Sequence, residues 1–179
     1  EVGYFNQSHQ DFLSTVASML AVRLAQWHAL EQLVESEEMY RRLFEESEDA
    51  MMLLTENKFE MVNAAAARIF KYANTEEMQS IHPSQASPEF QPCGTSSFDK
   101  AEAMMKVALE TGYNRFEWLH QKKTGEVFPV EVTLTKIPYR GENALYAICR
   151  DITEAKQDRE ALTLALEEAQ HASTAQSSF

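Results

Sequence analysis

No stretch of this sequence strings together the roughly 18 apolar residues a membrane-spanning helix requires, so the chain is expected to be soluble. No secretory signal opens it: Glu1-Val2-Gly3-Tyr4 is neither Met-led nor basic, the start expected of an excised fragment. Cysteine is scarce. Cys93 and Cys149 lie too far apart to suggest a metal pair or a disulfide framework, and free thiols fit a reducing cytoplasm. Positive charge is short as well: 16 Lys and Arg stand against 28 Asp and Glu, a net charge of −12. That balance argues against nucleic acid and anionic membrane surfaces as direct partners, because nothing would neutralise phosphate. Also missing are a Gly-rich phosphate loop, a Ser/His/Asp or Cys/His nucleophile set, and any carboxylate–histidine cluster at metal spacing. No catalytic residue and no metal site is therefore assigned, and no enzyme is expected within these residues.

What is present suffices for one core. With 179 residues and 44% hydrophobic content there is room for one domain of roughly 100–120 residues and flanking elements. From 12 to 34 the apolar residues Leu13, Val16, Leu20, Leu24, Trp27, Leu30 and Leu33 recur in steps of three and four, a helix with one apolar stripe behind Ser8 as cap. The stripe could pack on its own domain or pair with a second copy, and its length favours pairing. Ser36-Glu37-Glu38 interrupts it, and Met39, Tyr40, Leu43 and Phe44 begin a new face.

Short strands are expected over 50–54 and 58–63 around a Glu56-Asn57 turn, then a helix behind Asn63 and another behind Asn74. Glycine and proline number five each, and three prolines with Gly94 fall between His82 and Ser97, which marks a loop. A helix follows over 98–111 with Ala101, Met104, Met105, Ala108 and Leu109 on its buried side and Gly112 as its stop. From 113 to 156 the pattern changes to a period of two: Phe128, Val130, Val132 and Leu134 alternate with Pro129, Glu131, Thr133 and Thr135. Turns at Gly125 and Gly141 make this a three-stranded antiparallel meander. Its last strand passes through Arg150-Asp151-Ile152-Thr153 into a helical run without a Gly or Pro between them. In that run Ala155, Leu162, Leu166 and Ala169 form the thin seam of a two-stranded coiled coil.

Three segments carry a resemblance. YRRLFEESEDAMMLLTENKFEMVNAAAARIFKY is similar to the opening of a PAS domain, SPEFQPCGTSSFDKAEAMMKVALETGYNRFEWLHQKKTGEVFPVEVTLT resembles the sensor-box type, and RDITEAK resembles the closing Asp-Ile-Thr signature. The resemblance implies an α+β fold, a five-stranded antiparallel sheet with helices on one face cupping a small-molecule cavity, flanked by long coiled-coil helices. The organisation expected is 1–35 as the end of an upstream domain resembling the last GAF helix, 36–153 as the PAS domain, and 154–179 as a linker helix. The tail ALEEAQHASTAQSSF resembles the lead-in to a histidine-kinase dimerisation domain, with Gln176 where that pattern has Lys and His171 too early to be the phospho-acceptor.

The implied function is a sensory relay in a cytoplasmic two-component sensor histidine kinase, working as a parallel homodimer with the kinase domain downstream in the same chain. Alternatives are a PAS module regulating a diguanylate cyclase and a ligand-free dimerisation spacer. Phe98, Met104, Met105, Phe116 and Trp118 are the candidate cavity lining, fit for a small apolar or aromatic ligand. Arg150, Asp151, Ile152 and Thr153 are the candidate signal relay, with Asp151 or Thr153 capping the helix and Arg150 paired to a carboxylate. Leu20, Leu24, Trp27, Leu162 and Leu166 are the candidate dimer contacts. His82 and His120 are the only haem-ligand candidates in the domain, and a strand His beside aromatics is more simply a half-exposed hydrogen-bonding residue. Cys93 lacks the Asn-Cys-Arg-Phe surroundings of flavin photoreceptors and reads as an exposed loop thiol. The cofactor is thus left unassigned.

Overall fold

Backbone pairing organises the chain around one sheet. A computed structural model describes residues 7–55 and 58–176, and the chain divides between Phe44 and Glu45 into two units. The first is the greater part of one helix, α1 (Gln7–Glu45), which runs unbroken through Ser36-Glu37-Glu38. The polar stretch interrupts the apolar stripe without breaking the helix, because Glu is a good helix former and leaves the backbone ladder intact. Ser8 lies within the helix and does not cap it.

The second unit holds β1 (Ala50–Thr55), β2 (Lys58–Val62), α2 (Ala64–Ile69), α3 (Thr75–Gln79), α4 (Ser97–Thr111), β3 (Tyr113–Gln121), β4 (Val127–Tyr139), β5 (Glu142–Asp151) and α5 (Thr153–Gln176). The strands form one antiparallel sheet in the order β2-β1-β5-β4-β3. The first and last strands of the domain thus lie side by side at its centre, and α2, α3 and α4 lie over the face that carries Trp118, Phe128 and Val130.

Local chemistry explains each element. Phe128, Val130, Val132 and Leu134 are buried at every second position of β4, as the period of two requires. Asn63 is fully buried. Its Oδ1 accepts from Ala66 N–H at 2.9 Å, capping α2, and from Met51 N–H at 3.0 Å, while its Nδ2 donates to the Asp49 carbonyl at 3.1 Å. One side chain thus caps α2 and fastens it to β1, and buried Ala65 and Ala66 let the helix approach closely. Asn74 caps α3 through Glu77 N–H at 2.8 Å. The β4–β5 reversal is two residues, Arg140 (φ 50°) and Gly141 (φ 86°), the left-handed pair a tight hairpin prefers. Gly112, at φ 91°, ends α4.

Two expectations need correction. Leu109 is 37% exposed, so the inner side of α4 is Ala108 with Ala101, Met104 and Met105. The 82–97 loop contains a 3₁₀ turn (Pro83–Ala86) capped by His82, because proline suits a first helical position. The expected Glu56-Asn57 turn and the extreme termini lie outside the described residues.

Candidate functional site

Under α4 and the Pro83–Ala86 turn the sheet leaves a cavity of about 100 Å³. Its inner wall is apolar: Met52, Phe70, Val132, Leu134, Ala147 and Trp118 contribute to it. Four of the five candidate lining residues, Phe98, Met105, Phe116 and Trp118, line it. Met104 does not; its carbonyl accepts from Asn114 Nδ2 at 3.0 Å, at the α4–β3 corner. Phe98 is half-exposed and stands with His82, Ser84 and Glu102 at the mouth.

Sequence reasoning missed most of the polar features of this wall. Trp118 Nε1 donates to Ser87 Oγ at 3.0 Å. Buried Gln91 donates to Ser97 Oγ at 2.8 Å and to the Leu119 carbonyl at 3.0 Å, and accepts from Leu119 N–H at 3.0 Å. These bonds pin the proline-rich segment to β3 and set the roof of the cavity. No local pattern announces those to β3, since each joins residues 28 to 31 positions apart in the chain.

His120 sits among Phe70, Trp118 and Phe128, with ring centroids 5.0 to 6.4 Å away. Its Nδ1 lies 2.6 Å from the Ala86 carbonyl, and its Nε2 lies 3.8 Å from Cys149 Sγ. Burial pulls the imidazole down to about 4, outweighing the opposing bond to Ala86. Burial likewise pushes the Cys149 thiol up to about 12, with Asp49 adding to the effect. Cys93 is exposed, away from the cavity, and hydrogen bonding with Thr95 pulls its thiol down to about 7. His82 is occupied in capping: its Nδ1 accepts from Ser84 N–H at 3.2 Å. A space of about 100 Å³ falls well short of the roughly 300–1,000 Å³ of larger ligand sites, so haem or flavin would require extensive repacking.

At the exit, Asp151 Oδ1 accepts from Thr153 N–H at 2.8 Å and from its hydroxyl at 2.6 Å, which places the cap two residues before the helix. Arg150 grips Asp49, with Nη2 donating to Oδ2 at 2.7 Å. Ile152 N–H donates to the Pro129 carbonyl at 3.2 Å, and Lys156 Nζ pairs with Glu117 at 2.5 Å. The four relay residues therefore sit at one strand–helix junction. Leu20, Leu24 and Trp27 on α1, and Leu162 and Leu166 on α5, are all more than half exposed.

Comparison with known proteins agrees with this geometry. The family model described as "PAS domain" matches residues 48–154. The methyl sulfide methyltransferase-associated sensor of Methanosarcina acetivorans is 26% identical over 149 residues, covering 82% of this chain and 14% of that protein. This chain thus spans only a small part of that relative's length. Among solved structures, the PAS domain of an HTR-like protein from Haloarcula marismortui has a TM-score of 0.55 at 24% identity, covering 70% of this chain and 98% of that one. A domain of a sensory box sensor histidine kinase/response regulator from Geobacter sulfurreducens gives 0.52 at 21%, covering 66% and 96%. Sheet order, cavity and family match lead to one assignment: this chain belongs to the PAS domain family.

Proposed function

We propose that the chain is the sensory relay module of a sensor histidine kinase, which converts a change in its cavity into a change at α5 and so acts on a kinase domain downstream. The observation that carries this reading is continuity along one strand. Ala147 and Cys149 of β5 line the cavity, and Asp151, two residues on, caps the output helix. The junction is held by backbone and side-chain bonds to β4, β3 and Asp49, so β5 cannot shift without carrying the start of α5 with it.

The exposed apolar residues of α1 and α5 support a parallel homodimer in the cytoplasm, with no chemistry performed by these residues themselves. Paired helices have a few registers separated by small energies, and a tenfold shift between two of them takes about 1.4 kcal/mol. The test is autophosphorylation of the full-length natural polypeptide. Asp151→Ala should change its rate severalfold while the domain stays folded. Phosphotransfer insensitive to that substitution would sink the relay, and a cyclic dinucleotide as product would move the output to a diguanylate cyclase.

A further inference from the structure

Among the polar groups on the cavity wall, His120 has one ring nitrogen whose neighbour is only a weak donor. The Ala86 carbonyl can only accept, and it stands 2.6 Å from His120 Nδ1, so that nitrogen must carry the ring proton. The other nitrogen, Nε2, is then an unprotonated acceptor. Its neighbour is the Cys149 thiol at 3.8 Å, a long contact to a weak donor, and both residues line the cavity. Beside them Ser87 Oγ accepts from Trp118 Nε1 and lies 3.3 Å from the same His120 Nδ1, a second oxygen that can accept its proton. Among the described residues no Lys or Arg lines the space, and the carboxylate of Glu102 stands exposed at its mouth.

We propose that this cavity selects a small uncharged molecule with one hydroxyl, of phenol or short-alcohol type, whose O–H donates to His120 Nε2. The proposal rests on the reading of the cavity as a ligand site and names the chemistry of its occupant. An anion would meet the Glu102 carboxylate at the entrance and no cation within. A cation would find no buried carboxylate, and burial keeps the imidazole neutral at physiological pH. Size sets the other limit: a cavity of about 150 Å³ holds benzene, so about 100 Å³ takes a short alcohol directly and a single ring only with the half-exposed Phe98 side chain at the mouth moving aside.

Phenol and toluene have nearly the same shape and differ in the hydroxyl, so the pair isolates the acceptor. Each is titrated into the 179-residue chain and followed by amide and imidazole nitrogen shifts. Phenol should bind about tenfold more tightly than toluene, and its addition should move the His120 Nε2 resonance as an accepting nitrogen moves. His120→Asn retains a donor for Ala86 and removes Nε2, so toluene should still bind while the order of the two ligands reverses. Toluene equal to or tighter than phenol in the wild type, an unmoved or protonated Nε2, or failure of both to bind would each overturn the assignment. The nitrogen measurement uses the unaltered chain and does not depend on the variant folding. Phenol binding that leaves the amides of Thr153 and Lys156 unchanged would count against the relay and leave the ligand assignment standing.

Discussion

One carboxylate oxygen of Asp151 holds both the backbone N–H and the hydroxyl of Thr153, at 2.8 and 2.6 Å, where β5 becomes α5. The bond satisfies a free donor at the helix start and places negative charge at its positive end. Cys149, two residues earlier, faces the cavity. Strand, cap and helix form one short lever, and several consequences can be measured.

Asp151→Ala removes the cap while leaving the sheet pairing of its backbone with Val130. Urea unfolding should show a loss of about 1 kcal/mol. Hydrogen exchange should quicken in the first turn of α5 and stay unchanged in β4.

Asn63→Ala should be far more damaging. It deletes these three bonds from a fully buried amide, orphans Met51 N–H and leaves the Asp49 carbonyl with only the 3.3 Å bond from the Ser47 hydroxyl. A loss of about 3 kcal/mol is expected in the same assay, from roughly 1 kcal/mol for each bond.

In the Arg150–Asp49 pair the Arg side chain is solvated, 62% exposed, and Asp49 keeps 27% exposure. Arg150→Gln should therefore change stability by less than about 1 kcal/mol despite the short contact, and the difference should shrink in high salt.

Stability should depend on acid through His120. Its folded value of about 4 lies below the ordinary 6.5, so between those values the unfolded chain binds more protons than the folded one. Stability is then flat above about pH 6.5 and falls as the pH drops toward 4, by roughly 3 kcal/mol for this group. His120→Asn should remove that part of the slope. An unchanged urea midpoint for the wild type between pH 7 and 4.5 would contradict the buried neutral imidazole.

The two thiols should separate cleanly. At pH 8 iodoacetamide should modify Cys93 readily, since its thiol is exposed and lowered to about 7. Cys149, buried and raised to about 12, should react only after denaturation. Mass spectrometry with and without guanidinium reads both.

The sequence alone determined whatever depends on neighbours along the chain. The period of two in β4, the Asn63 and Asn74 caps, the Gly112 stop and the Gly141 reversal each follow from a few consecutive residues. Backbone sterics and side-chain reach act locally there, so the elements and the fold they imply were legible. Only the tertiary structure decided which of those elements meet. It brought His120 against Ala86 and Cys149, Gln91 against Leu119, and Arg150 against Asp49, 101 residues away. It also kept Met104 out of the cavity and left Leu109 exposed. Such pairings depend on how a twisted sheet and its covering helices close in space, and no repeat in the chain encodes that distance.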